Sequence, residues 1–157
     1  MRRRTGTMLA PDASIMRSTT IDAYMTPAVH TIGKEQTLEV AHEMMRRYRI
    51  RHLPVLTGGR IAGTLSLRDL HLLETLRGVD PAEVTVEEAM TSDVYVVEPK
   101  AELRAVATRM AKDKLGSAIV ARAGKIVGMF TTVDALRALA DALAPEDAAR
   151  RPRRGRK

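Results

Sequence analysis

The 157-residue chain contains no cysteine and no tryptophan. Disulfides, thiolate metal sites and thiol nucleophiles are therefore excluded, and the absence fits a reducing cytoplasm, the expected location. The aromatic residues are Tyr24, Tyr48, Tyr95 and Phe130 alone. The core must then be built from aliphatic side chains and nine methionines, and single-stranded nucleic acid finds almost nothing to stack on in the body of the protein. No apolar run approaches the roughly 18 residues of a membrane span. The basic start Arg2-Arg3-Arg4 is followed by no apolar stretch of signal-peptide length. Walker loops, Gly-x-Gly-x-x-Gly fingerprints and Gly-x-Ser-x-Gly elbows are missing too. His30, His42, His52 and His71 show no His-x-x-x-His spacing, so no built-in transition-metal site and no required cofactor is expected. No nucleophile sits beside a base and an orienting group, so the chain is not expected to be an enzyme.

What is present is charge at the two ends. Residues 1–20 carry a net +3 and residues 144–157 a net +4, which together make the whole +7. Residues 21–143 hold 16 basic and 16 acidic side chains and are neutral. The run Arg150-Arg151-Pro152-Arg153-Arg154-Gly155-Arg156-Lys157 has no apolar surface to bury and is expected to be disordered. Such a run can hold nucleic acid through phosphate contacts, or can be a solvated tail.

The middle of the chain repeats itself at an offset of 65. Gly63-Thr64-Leu65-Ser66-Leu67-Arg68-Asp69 aligns with Gly128-Met129-Phe130-Thr131-Thr132-Val133-Asp134, and Met25-Thr26 with Met90-Thr91. From Ile21 to Asp69 there are 49 columns, no gaps and ten identities, against about three by chance. One unit has been used twice, so site chemistry is expected in pairs.

Each copy reads in the same order. A short helix (21–25, 86–90) precedes a β-branched run, Val29-His30-Thr31-Ile32 or Val94-Tyr95-Val96-Val97. A helix follows on apolar positions at helical spacing: Leu38, Ala41, Met45 and Tyr48, then Leu103, Val106 and Met110. Two strands joined by a Gly-containing turn come next, then a last helix behind Ser66 or Thr131. The layout is a basic flexible tail (1–19), a first unit (20–76), a linker (77–85), a second unit (86–143) and a basic tail (144–157). At about 50 residues neither unit stabilises itself comfortably. The expected fold is α/β of the α+β kind: two β-α-β-β-α units sharing a buried face as a pseudo-twofold pair.

These residues and their order resemble a CBS-domain pair, or Bateman module. The carriers are Met25-Thr26-Pro27, Met90-Thr91, Arg51-His52-Leu53-Pro54-Val55 and the two Gly-x-x-[Ser/Thr]-x-x-Asp endings, over residues 20–137. The resemblance implies two clefts between the units, a homodimer, and binding of an adenosine-containing ligand such as AMP, ADP, ATP or S-adenosylmethionine. It implies a regulatory role toward an effector protein whose identity is unknown.

Ser66 with Asp69, and Thr131 with Asp134, can be read in two ways. Each pair suits a capping box at a helix N-terminus. The same geometry suits a nucleotide, because a helix N-terminus favours phosphate and a carboxylate can accept from ribose hydroxyls. The resemblance gives the Asp to the ribose and the hydroxyl to phosphate. Arg51 and His52 are candidates for phosphate contact, and Val29, Thr31, Val94 and Val96 for the adenine. Their counterparts at the offset, Gly116 and Ser117, carry no charge, so the two clefts are expected to differ in phosphate affinity. Two other functions compete: a nucleic-acid-associated dimer acting through its tails, and a ligand-free dimerisation scaffold.

Overall fold

The computed structural model describes residues 19–144. A 3-10 turn at Ile21–Ala23 leads into β1 (Thr26–Pro27) and β2 (Ile32–Gly33). Helix α1 (Leu38–Tyr48), the hairpin β3 (His52–Thr57) and β4 (Arg60–Ser66), and α2 (Leu67–Glu74) complete the first copy. The second runs α3 (Val86–Ala89), β5 (Val96–Val97), α4 (Leu103–Asp113), β6 (Ser117–Arg122), β7 (Lys125–Thr131) and α5 (Thr132–Ala142).

The elements follow from local chemistry. Thr37 caps α1, its Oγ1 accepting from the Val40 N–H at 3.4 Å. Leu38, Ala41 and Met45 form the buried stripe of α1, and Leu103, Val106 and Met110 that of α4. Both helices end on a left-handed residue, Arg49 or Lys114, again 65 apart. Each hairpin turns through two positive φ values, at Gly58-Gly59 and at Ala123-Gly124. This is the turn chemistry that matches strand twist.

The strands form two sheets, ordered β2-β3-β4 and β1-β7-β6-β5. The first copy's β1 therefore belongs to the second copy's sheet: Thr26 pairs with Met129 and Pro27 with Gly128. The counterpart is an isolated bridge between Thr91 and Thr64. The turn and helix that lead each copy follow the same exchange. Ile21 is buried with Leu103, Val106, Val120 and Phe130, whereas Val86 is buried with Leu38, Val55, Leu65 and Leu70. Packing units and sequence units are thus offset by one element. Two glycines permit the close approach. A Cβ on Gly63 would lie 2.7 Å from Met90 Sδ and 2.8 Å from the Thr91 carbonyl oxygen, and one on Gly128 2.8 Å from Met25 Sδ and 2.9 Å from the Thr26 carbonyl oxygen.

The β-branched runs form less strand than the sequence suggests, because only Ile32 and Val96–Val97 of them pair. Residues 28–31 cross from one sheet to the other and cannot stay in a ladder. Ala28 within this crossing has φ of 54°, a backbone conformation that a side chain disfavours.

Candidate functional site

Both copies turn from strand to helix at the motif named above, and the two turns open on one cavity of about 1600 Å³. Ser66 is the N-cap of α2 and Thr131 that of α5. Ser66 Oγ accepts from the Asp69 N–H at 3.2 Å and donates to Asp69 Oδ2 at 2.5 Å. The Ser66 N–H donates to the same oxygen at 3.2 Å. In the second copy the Thr131 N–H and Oγ1 both donate to Asp134 Oδ2 at 2.8 Å. The capping reading therefore holds in both copies, and in both it occupies one carboxylate oxygen.

The other oxygen separates the copies. Asp134 Oδ1 accepts from Arg137 Nη1 at 3.0 Å, and Asp134 is 2 % exposed. At the position equivalent to Arg137 the first copy has Leu72. Asp69 is half-buried and lines the cavity, with Oδ2 committed to Ser66.

Of the residues expected at the site, Ser66, Asp69, Thr131 and Asp134 all line the cavity. So do Arg51, His52, Val29 and Val94. Thr31 and Val96 are not among its lining residues. Thr31 stands directly before β2, and Val96 pairs with Ile119 in an edge strand and is 43 % exposed. Thr26 and Thr91 line it as well. The strand exchange sets Thr26 beside the β7 that leads to Thr131, and Thr91 beside the β4 that leads to Ser66. The Met-Thr of one copy thus borders the Ser/Thr-x-x-Asp of the other.

His52 packs where the duplication lost a side chain. A Cβ on Gly116 would lie 3.0 Å from His52 Nε2, so the imidazole occupies the room a side chain at 116 would need. Burial holds the His52 imidazole below its ordinary value; Asp69 opposes this, while Arg51 and Arg68 add to it. His52 therefore enters the cavity neutral at pH 7. Fixed positive charge on the cavity lining comes instead from Arg49, Arg51, Arg68 and Lys114, with Arg137 already paired to Asp134.

Sequence reasoning missed three features. Arg137 is visible as an i+3 neighbour of Asp134, but its partner is not. His30 stacks on Tyr48, with ring centroids 3.5 Å apart and planes at 13°, on the cavity wall. His42, His71 and Glu74, distant in sequence, meet where α1 packs on α2. No helix among the described residues is long and apolar enough to cross a membrane.

The CBS domain family matches residues 21–72 and 86–141. Hypoxic response protein 1 of Mycobacterium tuberculosis is 28 % identical over 122 residues, covering 77 % of this chain and 85 % of that protein. An inosine-5'-monophosphate dehydrogenase of Korarchaeum cryptofilum is 28 % identical over 116 residues, 72 % of this chain, but the match spans only 23 % of that enzyme. Among solved structures, CBSX2 in complex with AMP superposes with a TM-score of 0.70 at 24 % identity, covering 80 % of this chain and 99 % of that one. The CBS domain pair of protein MJ0100, in complex with 5-methylthioadenosine and S-adenosyl-L-methionine, gives 0.72 at 21 %, covering 78 % and 97 %. Two matched repeats, each ending in a capped Ser/Thr-x-x-Asp on a shared cavity, make this chain a member of the CBS domain family, built as a tandem pair.

Proposed function

We propose that the chain is a regulatory module that binds an adenosine-containing nucleotide between its repeats and passes the change to an effector protein. One observation carries the reading: two strand-to-helix turns, each with a hydroxyl and an Asp, open on one cavity that also holds Arg51, Arg68 and Lys114. Free N–H groups at a helix start and cationic side chains suit phosphate. A carboxylate oxygen that no cap consumes suits ribose hydroxyls. The AMP and S-adenosyl-L-methionine complexes of the two solved pairs support adenosine as the common group. The Asp69 side is the stronger site in this reading, since Arg137 takes the corresponding oxygen of Asp134. A homodimer belongs to the same reading. Val133, Leu136, Leu139 and Leu143 make an apolar stripe along and just beyond α5, 47–64 % exposed, that a second copy would cover.

Calorimetric titration with AMP, ADP, ATP and S-adenosylmethionine tests the reading. Saturable binding is expected, weakened at least tenfold in Asp69→Ala. No heat and no thermal shift at millimolar ligand would overturn it for those ligands, and would favour the scaffold.

A further inference from the structure

The packing of α1 on α2 assembles a group of side chains that the nucleotide reading does not use. His42 comes from the middle of α1, while His71 and Glu74 lie one turn apart on α2. Their ligand atoms all fall within 4.8 Å of one another. His42 Nδ1 and Glu74 Oε1 are 2.8 Å apart, and the two imidazoles meet edge-on at 5.6 Å. His42 and Glu74 border a second cavity of about 360 Å³ whose rim adds Glu39, Glu43 and Asp80 against one cation, Arg46, while His71 lies on the wall of the large cavity. The local field therefore favours a cation.

The second copy lacks the whole set. At the offset of 65, His42, His71 and Glu74 become Ala107, Leu136 and Leu139. The second copy keeps the same order of elements without them, so the fold alone does not call for these three residue types. Two imidazoles and one carboxylate make a donor set that suits a first-row divalent ion and leaves a fourth position for water. Metal–ligand bonds of about 2.0–2.1 Å in a tetrahedron put donors about 3.3 Å apart. Closing from at most 4.8 Å to that spacing falls to side chains that are half-buried or exposed.

We propose that His42, His71 and Glu74 bind one divalent transition ion, Zn²⁺ being the ion their donors fit, and that this ion pins α1 to α2. In the metal-free protein the His42–Glu74 hydrogen bond holds two of the ligands together. The ion exchanges that contact for three bonds to itself. Helix α2 then carries a nucleotide-facing cap at its first residues and a metal ligand pair near its end.

Zn²⁺ alone, added to the untagged, chelator-treated full chain, is the probe. Calorimetry is expected to give one Zn²⁺ per chain, with a rise in melting temperature. Co²⁺ is expected to give the visible absorption of a four-coordinate ion with nitrogen donors. His71→Ala keeps the His42–Glu74 hydrogen bond, so its metal-free melting should match the parent, while its Zn²⁺ affinity should fall at least tenfold. Glu74→Gln should lose affinity to a similar extent. Absence of one-to-one uptake, or variants that bind within threefold of the parent, would overturn the site. The nucleotide reading stands or falls separately, because no nucleotide is present.

Discussion

Arg137 and Leu72 occupy equivalent positions, and their difference decides what each Asp can offer. Asp134 is wrapped by its own cap and by Arg137, whereas the Asp69 carboxylate takes its hydrogen bonds among the described residues from Ser66. Arg137→Leu, which copies the first repeat, is expected to raise nucleotide affinity on the Asp134 side of the cavity, read by calorimetry as a tightened weak phase. The capping hydroxyls have a separate effect on stability. Ser66→Ala and Thr131→Ala should each lower it by about 1 kcal/mol in urea denaturation, since both bonds lie at helix starts. His52 sets a pH dependence whose sign follows from its burial. Its folded value lies below the ordinary 6.5, so the unfolded chain takes up a proton at higher pH than the folded one. Stability is then full above about 6.5 and falls as pH drops through the folded value. His52→Asn should flatten the decline between pH 7.5 and 5.5. At this scale the caps were legible, because Ser66 and Asp69 interact across three residues of sequence. The His42, His71 and Glu74 group was not, because its first two members stand 29 positions and a hairpin apart and only helix packing joins them.

At the scale of elements the exchange of leading segments rests on two glycines. Gly128→Ala forces a Cβ against Met25 Sδ and against the Thr26 carbonyl oxygen. A methionine end can move, but the backbone carbonyl is held by the β1–β7 pairing. Overpacking of this kind costs about 1–3 kcal/mol, and Met25→Ala should restore only the part that the thioether caused. Equilibrium denaturation of the two single variants and the double variant measures both. Ala123→Gly goes the other way. Its φ of 50° is left-handed, so removing the Cβ should raise the melting temperature despite glycine's larger unfolded-state entropy. The helices and hairpins were legible to within a residue or two from periodicity and turn chemistry. The exchange was not, and the reason is physical. Ile21 and Val86 are equivalent aliphatic residues, and each is buried in the other copy's core. A pattern that repeats without change carries no mark of which copy a segment docks on.

For the whole molecule the charge distribution separates two kinds of anion binding. The body from 21 to 143 is neutral, and the net +7 belongs to its two ends. The cavity cations Arg49, Arg51, Arg68, Lys114 and Arg137 lie within that neutral body and share the lining with Asp69, Asp93 and Asp134. They suit one small ligand carrying few phosphates, and offer no stripe for a polyanion. Residues 145–157, outside the described part, hold six basic side chains in eight positions. Affinity for duplex DNA is therefore expected to come from the ends. If all six neutralise phosphates, the logarithm of the binding constant should fall with the logarithm of salt at a slope of about −5. Deleting 145–157 should remove that salt-dependent component and leave nucleotide titration unchanged. A truncated chain that still bound DNA with the parent slope would move the interface onto the body. Loss of nucleotide binding on the same deletion would mean that the C-terminal basic residues complete the cleft.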